Sequence, residues 1–192
     1  LFSDPTGATD KRAMFTTSKY GTSPAQLTIT DISNFDQGPH VKKYVNIRSD
    51  GGPVSDSKKE FADVDFPVFR LSEMYLIYAE AVLRNGTGGD LTTALGYINQ
   101  IRTRAYGNAS GNISAGQLTL QFVLDERARE LYWEGHRRTD LIRYGVLTNN
   151  AYLWPWKGGV SSGTGVDSKY NLFPIPSSNL VANPNLTQNT GY

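Results

Sequence analysis

Residues 71–106 read LSEMYLIYAEAVLRNGTGGDLTTALGYINQIRTRAY, and this stretch decides the fold. Its apolar residues recur every three or four positions, which is the spacing of one face of an α-helix. Asn85 and Gly86 interrupt the pattern, and Asp90, a good N-cap residue, starts it again. Because only residues 85–89 separate the two helices, the sequence predicts an antiparallel αα-hairpin.

Two further helices follow the hairpin. The same apolar spacing continues over about 119–134, and Gly135 is expected to end or kink this third helix. A fourth short helix is predicted over about 137–144, closed by Gly145 in the C′ position. Residues 69–145 are therefore expected to form a core of helical hairpins.

The segments on either side of these helices lack a helical period. Residues 1–68 are polar and interrupted by Gly, Pro and Asp, and short alternations at 27–29 and 44–47 favour loops and short strands. Residues 146–192 contain an aromatic loop and a tail whose prolines cannot continue a helix, so no further regular element is predicted. We expect a mainly α chain with long irregular loops, a few short strands and an extended C-terminal tail that lies over the helical body.

The composition excludes several classes of protein. The 192 residues contain 19 Lys and Arg against 18 Asp and Glu, a net charge of +1, whereas nucleic-acid binders usually carry a concentrated basic excess. Without cysteine there is no disulfide framework, no thiolate zinc site and no thiol nucleophile. The two histidines, His40 and His136, lack metal-ligand spacing, so neither a metal nor another cofactor is predicted.

The densest group of charges lies in and just after the third helix. Several of its acids stand three or four residues before a base, which is contact distance on a helix. The pairs are Asp125 with Arg129, Glu134 with Arg138, and Asp140 with Arg143. Acids paired in this way have lowered pKa values, the wrong direction for the general acid of a glycosidase.

We therefore expect a structural ion-pair network and no catalytic residue. The predicted network comprises Asp125, Glu126, Arg127, Arg129, Glu130, Glu134, Arg138, Asp140 and Arg143. The alternative is a carbohydrate-active enzyme in which Glu126, Glu130 and Glu134 face a sugar.

Tyr152, Trp154 and Trp156 form an aromatic group around Pro155. Tyr and Trp rings stack on the apolar faces of sugars and bury a large area at low entropic cost, which makes these three residues candidates for carbohydrate binding. The alternative is that their side chains only anchor the loop onto the helices.

Four regions together resemble the SusD/RagB family of outer-membrane glycan-binding lipoproteins. RLSEMYLIYAEA at 70–81 and ALGYINQIRTRA at 94–105 are similar to the paired helices of that family. LDERAREL at 124–131 with WEGHRRTDLIRYG at 133–145 is similar to its signature helix and turn, and LFPIP at 172–176 to its C-terminus.

The resemblance implies a SusD-like C-terminal domain over residues 1–192, part of a longer protein, with tetratricopeptide-like helical hairpins. It implies a non-enzymatic role at the cell outer membrane, exposed on the surface. There the protein would capture oligosaccharides or other nutrients for uptake through a SusC-like TonB-dependent transporter. Contact with the membrane would go only through an N-terminal lipid absent from this chain.

Residues 154–159 also resemble a recurring segment of the family, which favours the anchoring role of the aromatic group. A further alternative is a pure protein-interaction segment that docks the transporter and touches no sugar.

Overall fold

The computed structural model describes residues 1–16, 28–48, 50–56, 58 and 60–192, and the backbone of 18–19 and 23–24. The chain forms two compact units, Leu1–Arg137 and Arg138–Tyr192. The described part of the chain is mainly helical, as the sequence predicts, and its strands are only two residues long. No helix within it is both long enough and apolar enough to cross a bilayer.

Three helices form the body of the first unit: α1 at Leu71–Leu83, α2 at Leu91–Tyr106 and α3 at Leu120–Leu131. The predicted cap of α2 is confirmed, since Asp90 accepts the backbone N–H of Thr93 at 2.9 Å. Gly107 ends α2 with φ 75°, a left-handed conformation that glycine adopts at little cost. The hairpin boundaries read from the sequence are therefore correct to within a residue or two.

The core of the first unit lies where α1 packs against α2 and α3. Its buried apolar residues are Leu76, Ala79, Ala94, Ile98, Ile101, Leu118, Val123 and Leu131. Full burial of each Leu or Ile side chain stabilises the fold by about 1.5–3 kcal/mol. The rings of Tyr75 and Tyr97 stack at 4.2 Å beside this core and join α1 to α2.

The third helix is shorter than predicted, because it ends at Leu131 rather than near Glu134. Tyr132 adopts an extended conformation and Trp133 a left-handed one with φ 62°, so the helical repeat stops three residues early. The Tyr132 hydroxyl donates to the carbonyl of Arg12 at 2.7 Å, and this tertiary contact competes with the helix. A helical period cannot reveal such a contact.

The prediction of β-like structure at 44–47 is wrong. Tyr44 has φ 66°, which breaks an extended strand, and no strand is assigned there. In the predicted stretch 27–29, Leu27 lies outside the described residues, and Thr28 and Ile29 are not in a strand. The strands lie elsewhere: β1 (Phe15–Thr16), β2 (Ser18–Lys19), β3 (Ser23–Pro24) and β4 (His40–Val41), paired antiparallel as β1 with β4 and β2 with β3.

A short helix, α4 at Arg137–Arg143, begins at the boundary of the second unit. Gly145 follows it with φ 69°, and the N–H of Val146 donates to the carbonyl of Leu141 at 2.9 Å, the glycine stop that was predicted. The tail is not free of regular structure, contrary to expectation, because α5 forms at Ser177–Ala182. Pro176 precedes α5, a position where a missing N–H is tolerated.

Candidate functional site

A cluster of buried charges lies in the first unit, with three glutamates of α3 and the following turn at its centre. Glu126 is fully buried. It accepts hydrogen bonds from Arg12, Arg102 and Arg129, each at 2.8 Å. Three guanidinium groups therefore surround one carboxylate.

Glu130 also binds three arginines. Its nearest guanidinium nitrogens are those of Arg12 at 3.3 Å, Arg70 at 3.0 Å and Arg104 at 2.6 Å. Burial by itself would raise the pKa of the Glu130 carboxyl, but the hydrogen bond and charge of Arg104, together with the charge of Arg12 and weaker contributions, outweigh burial and lower it from 4.5 to about 2. Glu130 is therefore ionised at neutral pH.

Glu134 is held by two cations from outside the helices. Arg70 donates to its two oxygens at 2.7 and 2.8 Å, the paired geometry that makes arginine–carboxylate contacts strong. Lys43 donates to Glu134 as well, and to the carbonyl of Tyr132 at 2.8 Å. Burial lowers the pKa of the Lys43 ammonium, an effect that its hydrogen bond to Glu134 partly offsets.

Apart from Arg129, which lies three residues from Glu126, the main partners of these glutamates are not the neighbours that helical spacing suggests. Arg129 donates to Glu126, three residues away, and Asp125 accepts the side-chain amide of Gln121 at 3.3 Å. The partners that sequence reasoning missed are Arg12, Lys43, Arg70, Arg102 and Arg104. They are contributed by segments far from α3 in the sequence, and nothing in the local charge pattern assigns them.

The remaining residues of the predicted network have other surroundings. In the first unit, Arg127 is buried with one guanidinium nitrogen 3.9 Å from Glu73. In the second unit, Arg143 donates to the buried carboxylate of Asp140 at 2.8 Å. Arg138 donates to the carbonyl of Tyr170 at 2.6 Å and lies 3.9 Å from the centre of the Phe173 ring.

A cavity of about 360 Å³ opens beside the charge cluster, entirely within the first unit. Glu130 and Glu134 line it together with cationic and aromatic side chains. A glycosidase acid needs a raised pKa, whereas the pKa of Glu130 is lowered and both carboxylates are engaged by cations. The geometry therefore favours anion recognition over acid catalysis. Among the described residues, no group of three or more acids or histidines is arranged to hold a metal ion.

The aromatic loop of the second unit, residues 146–166, is organised around one buried lysine. The ammonium of Lys157 donates to the carbonyls of Val146, Asn149 and Tyr152 at 3.2, 2.6 and 2.8 Å. It also lies 4.7 Å from the centre of the Trp154 ring. Burial lowers the pKa of Lys157. Three carbonyls directed at one cation fix the course of the loop.

The three candidate aromatic residues lie together in this loop. Tyr152, Trp154 and Trp156 are all half-buried. The rings of Tyr152 and Trp154 are 6.3 Å apart and tilted by 55°. Trp156 has a left-handed backbone with φ 68°, and its backbone N–H donates to the carbonyl of Ser161 at 3.3 Å. The loop therefore presents aromatic surface from a hydrogen-bonded turn.

Comparison with known proteins identifies the class of this one. The model of the SusD family, SusD_RagB, matches residues 8–192. The chain belongs to the SusD family.

Individual relatives agree with this assignment. The chain is 48% identical over 161 residues to the starch-binding protein SusD of Bacteroides thetaiotaomicron, a match that covers 84% of this chain and 27% of SusD. A crystal structure of a SusD superfamily protein from Parabacteroides distasonis aligns with TM-score 0.63 and 27% identity, covering 96% of this chain and 39% of that one. Surface glycan-binding protein A from Bacteroides thetaiotaomicron, in complex with laminarihexaose, aligns with TM-score 0.51 and 30% identity, covering 67% and 25%. This chain thus spans between a quarter and two fifths of the length of these relatives.

Proposed function

We propose that the protein captures oligosaccharides at the bacterial surface without cleaving them and passes them to a SusC-like TonB-dependent transporter of the outer membrane. The observation that carries this proposal is the 48% identity to a starch-binding protein over most of the chain. The complex of a second relative with laminarihexaose supports a saccharide ligand. By the same family relationship, the proposed location is the outer surface of the outer membrane, through a lipid anchor.

The aromatic loop supports this function physically. Sugar rings bind to exposed Tyr and Trp faces, and the half-buried residues Tyr152 and Trp154 lie in this loop with their ring centres 6.3 Å apart. Lys157 fixes the loop before any ligand arrives. A platform that is already ordered lowers the entropic cost of binding a flexible oligosaccharide.

A direct test compares Trp154→Ala with the unchanged protein, using maltohexaose and laminarihexaose as probes in isothermal titration calorimetry. We expect saturable binding and a roughly three- to tenfold loss of affinity in the variant, the scale of one aromatic contact. Trp133→Ala is the matched control, because Trp133 is exposed and lies outside the loop. Circular dichroism must show that both variants remain folded.

The same samples separate binding from hydrolysis. The length of each hexasaccharide should stay constant during prolonged incubation when it is followed by chromatography. Shortened products that disappear in Glu130→Gln would refute a non-catalytic role and support the enzyme alternative.

A second candidate function, docking another protein without touching sugar, is favoured by one observation. Consecutive turns of α1 expose Leu71, Met74 and Ile77, and Phe69 just before the helix is 81% exposed. Contiguous exposed apolar surface of this kind marks contact with a protein or a membrane. Unchanged glycan affinity in a folded Trp154→Ala, Trp156→Ala double variant would support docking alone.

A further inference from the structure

The cavity in the first unit has a surplus of positive charge. Its charged lining consists of Lys11, Arg12, Lys43, Arg70 and Arg104 against Glu130 and Glu134. Asp10 and Glu126, which are not among the lining residues, also bind Arg12. Because Glu126 is shared with Arg102 and Arg129, positive charges still outnumber negative charges around the cavity. A concave site with one dominant sign of charge concentrates ions of the opposite sign.

Two of the cationic residues that line the cavity keep donors available. Lys11 is exposed and forms no ion pair with any described residue. Among the described residues, Arg104 donates only to Glu130 and only through Nη2. The N–H groups of Nε and Nη1 are therefore left for another acceptor. The Arg104 side chain is 56% exposed, so a ligand in solution can reach it.

Tyr44 supplies a second, independent observation. It lines the cavity, and its hydroxyl is buried without a hydrogen-bond partner among the described residues. Because the hydroxyl has almost no exposed surface, a ligand in the cavity can reach the ring of Tyr44 but not its hydroxyl. Tyr44 also has φ 66°, and a backbone held in this region by a bulky residue is characteristic of functional sites.

The size and walls of the cavity suit a single sugar unit. A volume of about 360 Å³ lies at the lower end of the range for small-molecule sites. The ring of Tyr44 provides aromatic wall. Tyr132 also lines the cavity, but Phe15 stacks on its ring and Lys43 lies 4.7 Å from the ring centre. Aromatic rings beside spare cationic donors match a ligand that has both an apolar ring face and a negative charge.

We propose that this cavity is a subsite for an acidic sugar, a saccharide unit that carries a carboxylate or sulfate group, with Lys11 and Arg104 binding the anion and Tyr44 contacting the ring. The proposal rests on the proposed function only in taking the ligand to be a saccharide. The cavity lies in the first unit, whereas the aromatic loop lies in the second, so each is tested by its own variants.

The test uses the intact chain and calorimetric titration with D-glucuronate, D-glucose 6-sulfate and neutral D-glucose. We expect both acidic sugars to bind saturably and at least roughly tenfold more tightly than glucose, the scale of one hydrogen bond to a charged group. Added salt should weaken that binding, because the attraction is partly Coulombic. Binding of only one acidic sugar also supports the subsite and identifies the anion as carboxylate or sulfate.

The variants assign the binding to the cavity. Lys11→Gln should weaken glucuronate binding roughly tenfold without unfolding, since Lys11 is exposed and unpaired among the described residues. Lys58→Gln is the matched control, because it removes the same charge from an exposed position that does not line the cavity. Tyr44→Ala should weaken binding severalfold by removing the ring, whereas Tyr44→Phe removes only the buried hydroxyl and should leave binding unchanged.

Each of four results would overturn the proposal. One is equal affinity for glucose and glucuronate, and another is an equal effect of Lys11→Gln and Lys58→Gln. The third is inorganic sulfate binding as tightly as the acidic sugars, which would mean that the sugar ring contributes nothing. Maltohexaose binding that persists while glucuronate fails to bind would reject the subsite and leave the proposed function intact.

Discussion

The two units bury positive charge in opposite ways. In the first, arginines meet the carboxylates of Glu126, Glu130 and Glu134 across long stretches of sequence. In the second, Lys157 donates to main-chain carbonyls at most 11 residues away. One arrangement joins distant segments, and the other shapes a single loop. Stability of the first unit and presentation of the aromatic loop therefore depend on separate residues, so each can be changed alone.

Removing the central carboxylate is expected to have the largest effect. Glu126→Gln leaves Arg12, Arg102 and Arg129 without their shared anion, and breaking a buried pair of this type costs about 3–5 kcal/mol. Urea denaturation should show this loss, whereas Glu60→Gln, an exposed control, should stay within about 0.5 kcal/mol. Equal stabilities of the two variants would mean that the cluster does not brace the unit.

Acid should weaken the first unit through Glu130. The folded pKa of about 2 lies below the ordinary 4.5, so the stabilisation is complete above the ordinary value and is lost as pH falls through 4.5 towards 2. The difference corresponds to about 3 kcal/mol. Glu130→Gln should therefore lose less stability than the unchanged protein when urea denaturation is repeated across this pH range. An equal pH dependence in both proteins would exclude Glu130 as its source.

Changing Lys157 should have a smaller and more local effect. Lys157→Met leaves three carbonyls without their donor, at an expected cost of about 1–3 kcal/mol. Hydrogen exchange should accelerate for amides of residues 146–166 and remain unchanged in α1, α2 and α3. Lys58→Met serves as the exposed control. Faster exchange throughout both units would contradict the separation of the two arrangements.

The helical part of the fold could be predicted from the sequence because its signals are local. Apolar periodicity, the cap at Asp90 and the glycine stop at Gly145 act within a few residues, and each is found where expected. The early end of α3 depends on Tyr132 contacting Arg12, a contact between residues 120 positions apart. No local pattern encodes such a contact.

The candidate sites, like the fold, could be predicted from the sequence only where the signals are local. The sequence identified the acids of α3 but could not identify Arg12, Lys43 or Arg70 as their partners. The cavity depends on those partners, so it could not be predicted either. The role of Lys157 was also missed, since a lysine in a loop is usually solvated.

The hydrogen bond between Arg12 and Glu126 joins residues 114 positions apart, which has a consequence for the order of folding. Closing so long a loop costs conformational entropy that must be met before the contact can form. The α1–α2 hairpin, built from local contacts, is therefore expected to form before the charge cluster closes.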